Sequence, residues 1–465
     1  MKAAVIGSPI SHSLSPFIFS YIGLREKNVI DYTSIEVKVN EKNDLLKKIK
    51  DDDKFLGVNV TIPLKEVFLD QLDFISPEVR ALGALNVLHV KNKKISGYNT
   101  DIIGIKKTFE GKKFLLKNKT CLLIGAGGSA KAVSYVLGKD EAKEVIIYNR
   151  SDRNVELVEN FSSLFPNTKF LSVSDLNDPR LQSMSFDLVV NSTPLGMTGK
   201  DSGATFFSEL NGLAFNAEAL AFDLIYTPEA TEFLNVASKL GLNTVGGLGM
   251  LIDQALATWK IWVGEIKDEK ALHNSLHLYL SGILWLKENP IPVYLSGFMG
   301  VGKSTVGELL AARLKRDFFD IDKTIHNESK LSIPEIFTQF GEAHFRELES
   351  KNIEKMSAFK NAVISLGGGA LMNPINFKLL HESGLVIYLK AVEKNLLERI
   401  NSEKGTRPLL ANLSEKEQLK KISELLLVRK NVYEKAPIHI QTDDLTIEEC
   451  MFEILKAIGS IRNKG

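Results

Sequence analysis

Short apolar runs alternate with amphipathic stretches along nearly the whole chain, a rhythm that predicts parallel α/β layers rather than sandwiches or bundles. Ahead of residue 100, Ala3–Ile6, Tyr32–Val37, Gly57–Val60 and Asn86–Val90 predict strands, while Pro16–Glu26 and Asp44–Lys50 predict helices. Beyond Lys119 the strand signal recurs at Thr120–Ile124, Glu144–Tyr148, Lys169–Val173, Leu188–Asn191 and Ala219–Leu224, the pattern of a doubly wound nucleotide fold. Met250–Val263 and Asp268–Leu286 carry helical apolar faces, and Glu288-Asn-Pro-Ile-Pro292 breaks the pattern before a strand starts at Val293. The expected organisation is a substrate-binding α/β domain over 1–105, a Rossmann nucleotide domain over 106–249, helices over 250–285 packing back on the first domain, and a third α/β domain with a parallel sheet over 286–465. A length of 465 residues suits this division, since single cores stop growing at about 250–300 residues.

Two of the predicted strands run into phosphate-cradling loops of different kinds. Thr120–Ile124 leads into Gly125-Ala126-Gly127-Gly128-Ser129-Ala130, a Gly-x-Gly-x-x-Ala turn opening a helix over Lys131–Leu137 whose first amides can meet a pyrophosphate. The strand from Val293 leads into Gly297-Phe-Met-Gly300-Val-Gly302-Lys303-Ser304-Thr305, a complete G-x-x-x-x-G-K-[ST] loop. Its amides would cradle ATP phosphates, Lys303 would reach the β and γ positions, and Ser304 would coordinate Mg²⁺. The first loop implies hydride chemistry and the second phosphoryl chemistry, hence two enzymes on one polypeptide.

The cofactor of the first loop is narrowed by the next strand end. A turn that binds NAD usually places an acid there for the ribose 2′-hydroxyl. This chain has Asn149-Arg150, with Arg153 close behind, and a guanidinium matches a 2′-phosphate. NADP is therefore expected over NAD, the other reading being two solvated surface arginines.

Composition excludes more than it selects. Hydrophobic residues at 44%, charged residues at 25% and a net charge of +1 are ordinary for globular protein, so nothing global favours nucleic acid or an anionic membrane. No run approaches the roughly 18 apolar residues of a membrane span, and Met1–Gly7 reads as a strand rather than a secretory leader. Two distant cysteines, Cys121 and Cys450, suit buried thiols in a reducing cytoplasm. Apolar helix faces serve cores and interfaces alike, so no oligomeric state follows from them.

Seven motifs of the first half occur together: Gly7-Ser-Pro-Ile-Ser-His12-Ser13-Leu-Ser15-Pro16, Gly57-Val-Asn59-Val-Thr61-Ile-Pro63-Leu-Lys65, Gly83-Ala-Leu-Asn86, Gly97-Tyr-Asn99-Thr100-Asp101, Asn191-Ser-Thr193-Pro-Leu-Gly196-Met197, Asp223-Leu-Ile-Tyr226-Thr-Pro228 and Gly246-Gly247-Leu-Gly249-Met250 running on to Gln254-Ala255. In this order and spacing, residues 1 to 285 resemble shikimate dehydrogenase. One departure is Val87, where that family often has Thr after the Asn. Ketone reduction builds charge on the carbonyl oxygen, which must be stabilised and protonated, and a lysine beside a carboxylate can do both. The resemblance makes Lys65 and Asp101 that pair. It implies that Ser13 and Ser15 bind the substrate carboxylate, that Asn59, Thr61, Asn86, Asp101, Tyr226 and Gln254 line the ring hydroxyls, and that Leu224 and Gly247 approach the nicotinamide. Taken singly, Ser15 before Pro16 also reads as a helix N-cap, Asn59 and Asn86 as turn residues, Lys65 as a surface lysine, and His12 as a structural neighbour of the serines.

Downstream of the second loop lie Phe319-Asp320-Ile-Asp322, Phe340-Gly341-Glu342-Ala-His-Phe345-Arg346-Glu347-Leu-Glu349, Leu366-Gly367-Gly368-Gly369, Arg407-Pro408-Leu-Leu410 and Arg429-Lys-Asn-Val-Tyr433. With that series, residues 291 to 465 resemble shikimate kinase. The resemblance implies that Asp322 accepts from the substrate hydroxyl, that Asp320 holds the water shell of Mg²⁺, and that Arg346 and Arg429 clamp the substrate carboxylate. Gly368 would let backbone approach the ring, and Arg407 would close over ATP from a mobile lid. Asp320 and Asp322 also read as a strand-end turn, and Arg346 as a partner of Glu342 or Glu349 on its own helix.

The two halves imply consecutive steps: NADPH-dependent reduction of 3-dehydroshikimate to shikimate, then ATP-dependent phosphorylation of shikimate. The alternatives are a quinate/shikimate dehydrogenase carrying a regulatory or differently specific P-loop module, or one half retained only for binding.

Overall fold

The computed structural model describes residues 1–10, 13–402, 410 and 413–462; Arg407 and His12 fall outside them. The chain folds as two compact units, Met1–His277 and Leu278–Gly465. The division falls inside the helix Glu269–Glu288, ahead of the Glu288–Pro292 break.

Unit one contains two sheets. The first is built from β1 (Lys2–Gly7), β2 (Asp31–Glu36), β3 (Phe55–Val60), β4 (Phe74–Ile75), β5 (Val87–Lys91) and β6 (Lys94–Tyr98), in the order β2-β1-β3-β5-β6-β4. It is mixed: β5 runs antiparallel to both β3 and β6. The sequence pattern foretold no β6, because the hairpin turn uses Asn92 and Lys93 at φ 52° and 58° instead of the glycine that normally advertises such a turn.

The second sheet comprises β7 (Thr120–Ile124), β8 (Glu144–Tyr148), β9 (Lys169–Val173), β10 (Ser185–Asn191), β11 (Ala214–Asp223) and β12 (Asn243–Val245), ordered β12-β11-β10-β7-β8-β9. All its pairings are parallel. That order reverses direction between β7 and β10, and in open sheets of this kind ligands bind in the crevice at that switch point. Buried aliphatics on both faces of β7 (Cys121 and Leu123 on one side, Leu122 and Ile124 on the other) explain why its sequence reads as a continuous apolar run.

The helix Leu248–Trp262 returns to the first sheet. It packs along the helix Asp101–Gly111, and Trp262 Nε1 donates to the Leu88 carbonyl at 3.2 Å. Gly104 makes this close approach possible, since a Cβ there would lie 2.5 Å from the Met250 carbonyl oxygen.

Unit two has one parallel sheet of β13 (Val293–Ser296), β14 (Asp317–Asp320), β15 (Ala362–Ser365), β16 (Leu385–Lys390) and β17 (Ile438–Gln441), ordered β14-β15-β13-β16-β17. The phosphate loop leaves the central strand β13, and the helix Lys303–Leu314 follows it. Among the described residues, no helix is long and apolar enough to cross a membrane. Both cysteines are buried and free.

Candidate active sites

In unit one, loops at the carboxyl ends of the first sheet converge on a lysine–carboxylate pair. Lys65 Nζ donates to Asp101 Oδ2 at 2.6 Å, with the two side chains 14% and 9% exposed. Asp101 opens a helix, and its own N–H donates to Asn99 Oδ1 at 3.1 Å, an Asx turn that fixes the carboxylate's direction. Asn86 holds the other carboxylate oxygen through Nδ2 at 2.8 Å and accepts from the Thr100 N–H at 2.7 Å. The cluster continues through Gln254, Thr100 and Thr258. Asn86 Nδ2 reaches Gln254 Oε1 at 3.4 Å, Thr100 Oγ1 lies 3.2 Å from Thr258 Oγ1, and Asn59 Nδ2 donates to Thr258 Oγ1 at 3.3 Å. Tyr32, its phenol pushed up by burial, donates to Asn59 Oδ1 at 2.7 Å and is also hydrogen-bonded to Ser15. Six of the predicted residues (Ser15, Asn59, Lys65, Asn86, Asp101 and Gln254) thus share one network.

Ser15 is not the N-cap of its helix. The cap position is Leu14, and Ser13 Oγ accepts from the Ser15 N–H at 3.2 Å, which leaves the Ser15 hydroxyl to the network. Half-buried Thr61 sits on the loop after β3, its N–H donating to the Ile6 carbonyl at 2.9 Å.

The dinucleotide turn lies beside this network. A cleft of about 1410 Å³ is lined by Lys65, by Gly125 to Ser129, by Asn149, Arg150 and Arg153, and by Ser192 to Leu195. A Cβ built on Gly128 would sit 3.5 Å from Lys65 Cδ, so the lysine stem adjoins the mouth of the turn. Gly125 has φ 111°, a conformation that its place against Ser192 and Thr193 requires. Ala130 faces away from the cleft into the core, where it serves helix–strand packing instead of touching cofactor. Tyr226 and Gly247 line a second cavity, about 520 Å³, together with Asp253 and His273. Leu224 sits at the root of that loop, its N–H donating to the Asn191 carbonyl at 3.0 Å.

In unit two the phosphate loop folds its cation back on itself. Lys303 Nζ donates to the carbonyls of Gly297 and Phe298 at 2.9 and 3.1 Å. Gly300 and Gly302 have φ 77° and 96°, and Gly302 caps the helix that Lys303 begins; Thr305 is exposed on its first turn. Ser304 Oγ donates to Asp320 Oδ2 at 2.5 Å, while Asp320 Oδ1 accepts from the Lys323 N–H at 3.0 Å as the N-cap of the next helix. Asp320 is thus the cap that closes the turn at its strand end, with its other oxygen on the hydroxyl of Ser304.

Arg346 donates to Glu349 at 2.8 Å and to Glu342 at 3.0 Å, so both intrahelical pairs are formed. Glu349 is 1% exposed; burial pushes its carboxyl up and the nearby charge of Asp322 adds to that, against the pull of Arg346. A Cβ on Gly367 would lie 2.1 Å from Glu349 Oε1 and 3.3 Å from Asp322 Oδ1, which requires glycine where both acids approach. Arg429 Nη1 donates to the Gly368 carbonyl at 3.0 Å, and Tyr433, one turn further along the same helix, donates to the same oxygen.

Comparison with known proteins decides what these sites belong to. The shikimate dehydrogenase (NADP(+)) of Methanococcus maripaludis is 34% identical over 280 residues, 59% of this chain and 95% of its own length. That of Streptococcus thermophilus is 35% identical over 280 residues, with the same coverage of 59% and 95%. This chain belongs to the shikimate dehydrogenase family. The family model for the shikimate dehydrogenase substrate binding domain matches residues 5–88, and that for shikimate kinase matches residues 299–459. Among solved structures, shikimate 5-dehydrogenase from Listeria monocytogenes in complex with shikimate and NAD aligns with TM-score 0.54 and 26% identity over 59% of this chain and 96% of that one. Shikimate dehydrogenase from Aquifex aeolicus aligns with TM-score 0.52 and 28% identity over 59% and 97%. The chain is therefore a bifunctional enzyme of the shikimate pathway, a dehydrogenase joined to a kinase domain.

Some members of these shikimate sites carried no role in the sequence reading. Tyr32, Thr100 and Thr258 are interior partners of the dehydrogenase network, and Tyr433 supports the kinase glycine loop. Thr100 and Tyr433 stand within quoted motifs, a usable signal; Tyr32 and Thr258 have none.

Proposed function

We propose that unit one reduces 3-dehydroshikimate to shikimate with NADPH, and that unit two phosphorylates the 3-hydroxyl of shikimate with ATP and Mg²⁺. The observation that carries the first step is the Lys65–Asp101 pair at 2.6 Å beside the dinucleotide turn. When bound, NADPH supplies the hydride. Lys65 gives its proton to the carbonyl oxygen as that oxygen gains charge, and recovers one from solvent after the alcohol forms. Asp101 keeps the ammonium aimed, and Asn86 keeps Asp101 aimed. Ser13 and Ser15 would hold the substrate carboxylate, with Asn59, Thr61, Tyr226 and Gln254 toward the ring hydroxyls. Arg150 and Arg153, both lining the cleft, support NADP over NAD.

For the second step, Lys303 and the amides of the phosphate loop hold the nucleotide phosphates. Hydroxyl and carboxylate oxygens of Ser304 and Asp320 converge within 2.5 Å, a hard donor set suited to Mg²⁺. The described residues hold no cluster of three His, Cys, Asp or Glu ligands. A Mg²⁺ ion needs none, since it keeps several waters and takes its remaining ligands from phosphate. Asp322 would accept the proton of the attacking hydroxyl, while Arg346 and Arg429 neutralise the substrate carboxylate. Two buried free thiols support a reducing, cytoplasmic setting.

The test is NADPH oxidation on adding 3-dehydroshikimate to the full chain, followed by ADP release when ATP and Mg²⁺ are added, with NADH run in parallel as donor and quinate compared with shikimate in the oxidising direction with NADP⁺. Two successive signals are expected, with NADH much the poorer donor. NADPH oxidation without ADP release would reject the kinase reading, and a stronger response with quinate or NADH would reject the dehydrogenase reading.

A further inference from the structure

The strands β10 and β11 end side by side at Asn191 and Asp223. Asp223 is 0% exposed, and the groups bonded to it are neutral donors instead of a counter-ion. Asn191 Nδ2 donates to its Oδ1 at 3.0 Å, the Ile225 N–H to the same oxygen at 3.1 Å, and Thr231 Oγ1 to Oδ2 at 2.6 Å. A carboxylate buried without a cation is costly to keep, so its retention calls for a use. Each donor lies on a different segment: Asn191 closes β10, Ile225 belongs to the loop after β11, and Thr231 caps the helix Glu232–Lys239.

With its amide nitrogen committed to Asp223, Asn191 must present its oxygen the other way. Asn191 Oδ1 accepts from Thr193 Oγ1 at 2.7 Å and from the Thr193 N–H at 3.1 Å. Thr193 and its neighbours line the large cleft. On the other side, the Gly247 N–H donates to the Ile225 carbonyl at 3.0 Å, so the Asp223 node also anchors the loop bearing Leu224 and Tyr226.

We propose that Asp223 is a positioning residue for the dinucleotide: through Asn191 it sets the Thr193 loop, through Ile225 and Thr231 it sets the Leu224–Tyr226 loop, and together these determine the affinity for NADPH. This rests on reading unit one as an NADP-dependent dehydrogenase. Burial pushes the Asp223 carboxyl up to about 6, against the pull of its three hydrogen bonds. Above that pH the charge organises the donors. Below it, the protonated carboxyl donates from one oxygen, the Thr231 hydroxyl must turn to accept, and the charge that strengthened all three bonds is gone, so the common anchor of the loops weakens. The groups bonded to it from β10, from its own loop and from the helix at Thr231 are all non-titrating.

The experiment compares wild type with Asp223→Asn in the full chain, by NADPH fluorescence titration and by steady-state kinetics. NADPH affinity is expected to fall about tenfold at neutral pH, the scale of a hydrogen bond to a charged group. The kinase rate of the same polypeptide should stay within about twofold, which also reports that the chain is folded, while the KM for 3-dehydroshikimate, which Tyr226 on the anchored loop also serves, should rise by less than the loss in NADPH affinity. As pH falls through about 6, wild-type affinity should approach that of the variant. Thr231→Val, which keeps the carboxylate and removes one donor, should weaken NADPH by about threefold and stands in should Asp223→Asn fail to fold. Unchanged NADPH affinity would overturn the proposal. So would a loss of active fraction with affinity and both KM values intact. A wild type that binds NADPH but leaves 3-dehydroshikimate unreduced would sink the functional reading alone, since the affinity comparison still decides the role of Asp223. A wild type without NADPH binding would overturn both.

Discussion

The two active sites on this chain keep their charged groups in opposite ways. In the dehydrogenase unit, Lys65 is bonded to Asp101, and Asp101 to Asn86, and on the proposed function the protein's own partners are the working arrangement. In the kinase unit, Lys303 is bonded to the backbone of its own loop, Ser304 to Asp320, and Arg346 to Glu342 and Glu349. On the proposed function, phosphate, Mg²⁺ and the substrate carboxylate displace or share these partners. The contrast follows from the chemistry. Ketone reduction needs one proton donor aimed at one oxygen throughout, which favours a rigid pair. Phosphoryl transfer gathers several negative charges at once, so its cations need interim partners that are easily exchanged.

Removing the protein's own partner should therefore harm one site and spare the other. The largest effect is expected for Lys65→Ala, which should lower dehydrogenase kcat by on the order of a thousandfold, with kinase activity unchanged. Asp101→Asn keeps the shape but loses the charge that aims Lys65; a fall of about a hundredfold is expected, and a loss below about fivefold would break the claim that the pair is preassembled. In the kinase unit, Tyr433→Phe removes one of two donors to the Gly368 carbonyl. The KM for shikimate should rise about threefold to tenfold with kcat nearly constant, measured by coupled ADP release.

Glu342→Gln sharpens the contrast most. It deletes the exposed competitor for Arg346 while buried Glu349 keeps the guanidinium in place. A KM for shikimate lowered by about twofold is expected, and a marked increase would show that Glu342 belongs to the working site. The smallest effect concerns His273, 3.5 Å from Asp253. Burial opposes its protonation, but the Asp253 carboxylate outweighs that and holds the imidazole above the usual 6.5. Its stabilisation should be complete below pH about 6.5 and lost as pH rises through the raised value. Thermal melts of wild type and His273→Gln should converge at high pH, the difference at low pH being at most about 1 kcal/mol.

Legibility from sequence tracked how local each feature is. The strands Thr120–Ile124, Glu144–Tyr148 and Lys169–Val173 match their sequence bounds residue for residue, because both faces are covered and polar residues flank each run. The antiparallel strand Lys94–Tyr98 was hidden by a turn without glycine. The same rule holds in the sites. The intrahelical partners of Arg346 could be read from i,i+3 and i,i+4 spacing, and both pairs formed. Tyr32 and Thr258, whose only relation to Asn59 is spatial, could not. Ser15 was ambiguous for a local reason: a serine before proline at a helix start is a good cap, but the helix begins at Ser15 itself with Leu14 in the cap position, and the Ser15 hydroxyl bonds Tyr32. Tyr226 and Gly247 share motifs with the dehydrogenase family yet face a cavity of their own, which spacing alone does not reveal.

The most direct test of two independent, consecutive sites is to supply 3-dehydroshikimate, NADPH, ATP and Mg²⁺ and measure shikimate 3-phosphate from Lys65→Ala, from Lys303→Ala and from an equal mixture of the two. Each variant alone should form product at no more than about a thousandth of the wild-type rate, the first for want of shikimate and the second for want of phosphoryl transfer, while the mixture restores the product as shikimate diffuses between molecules. A rate near that of wild type from either variant alone, or no gain from the mixture although each retains its remaining activity, would contradict the account.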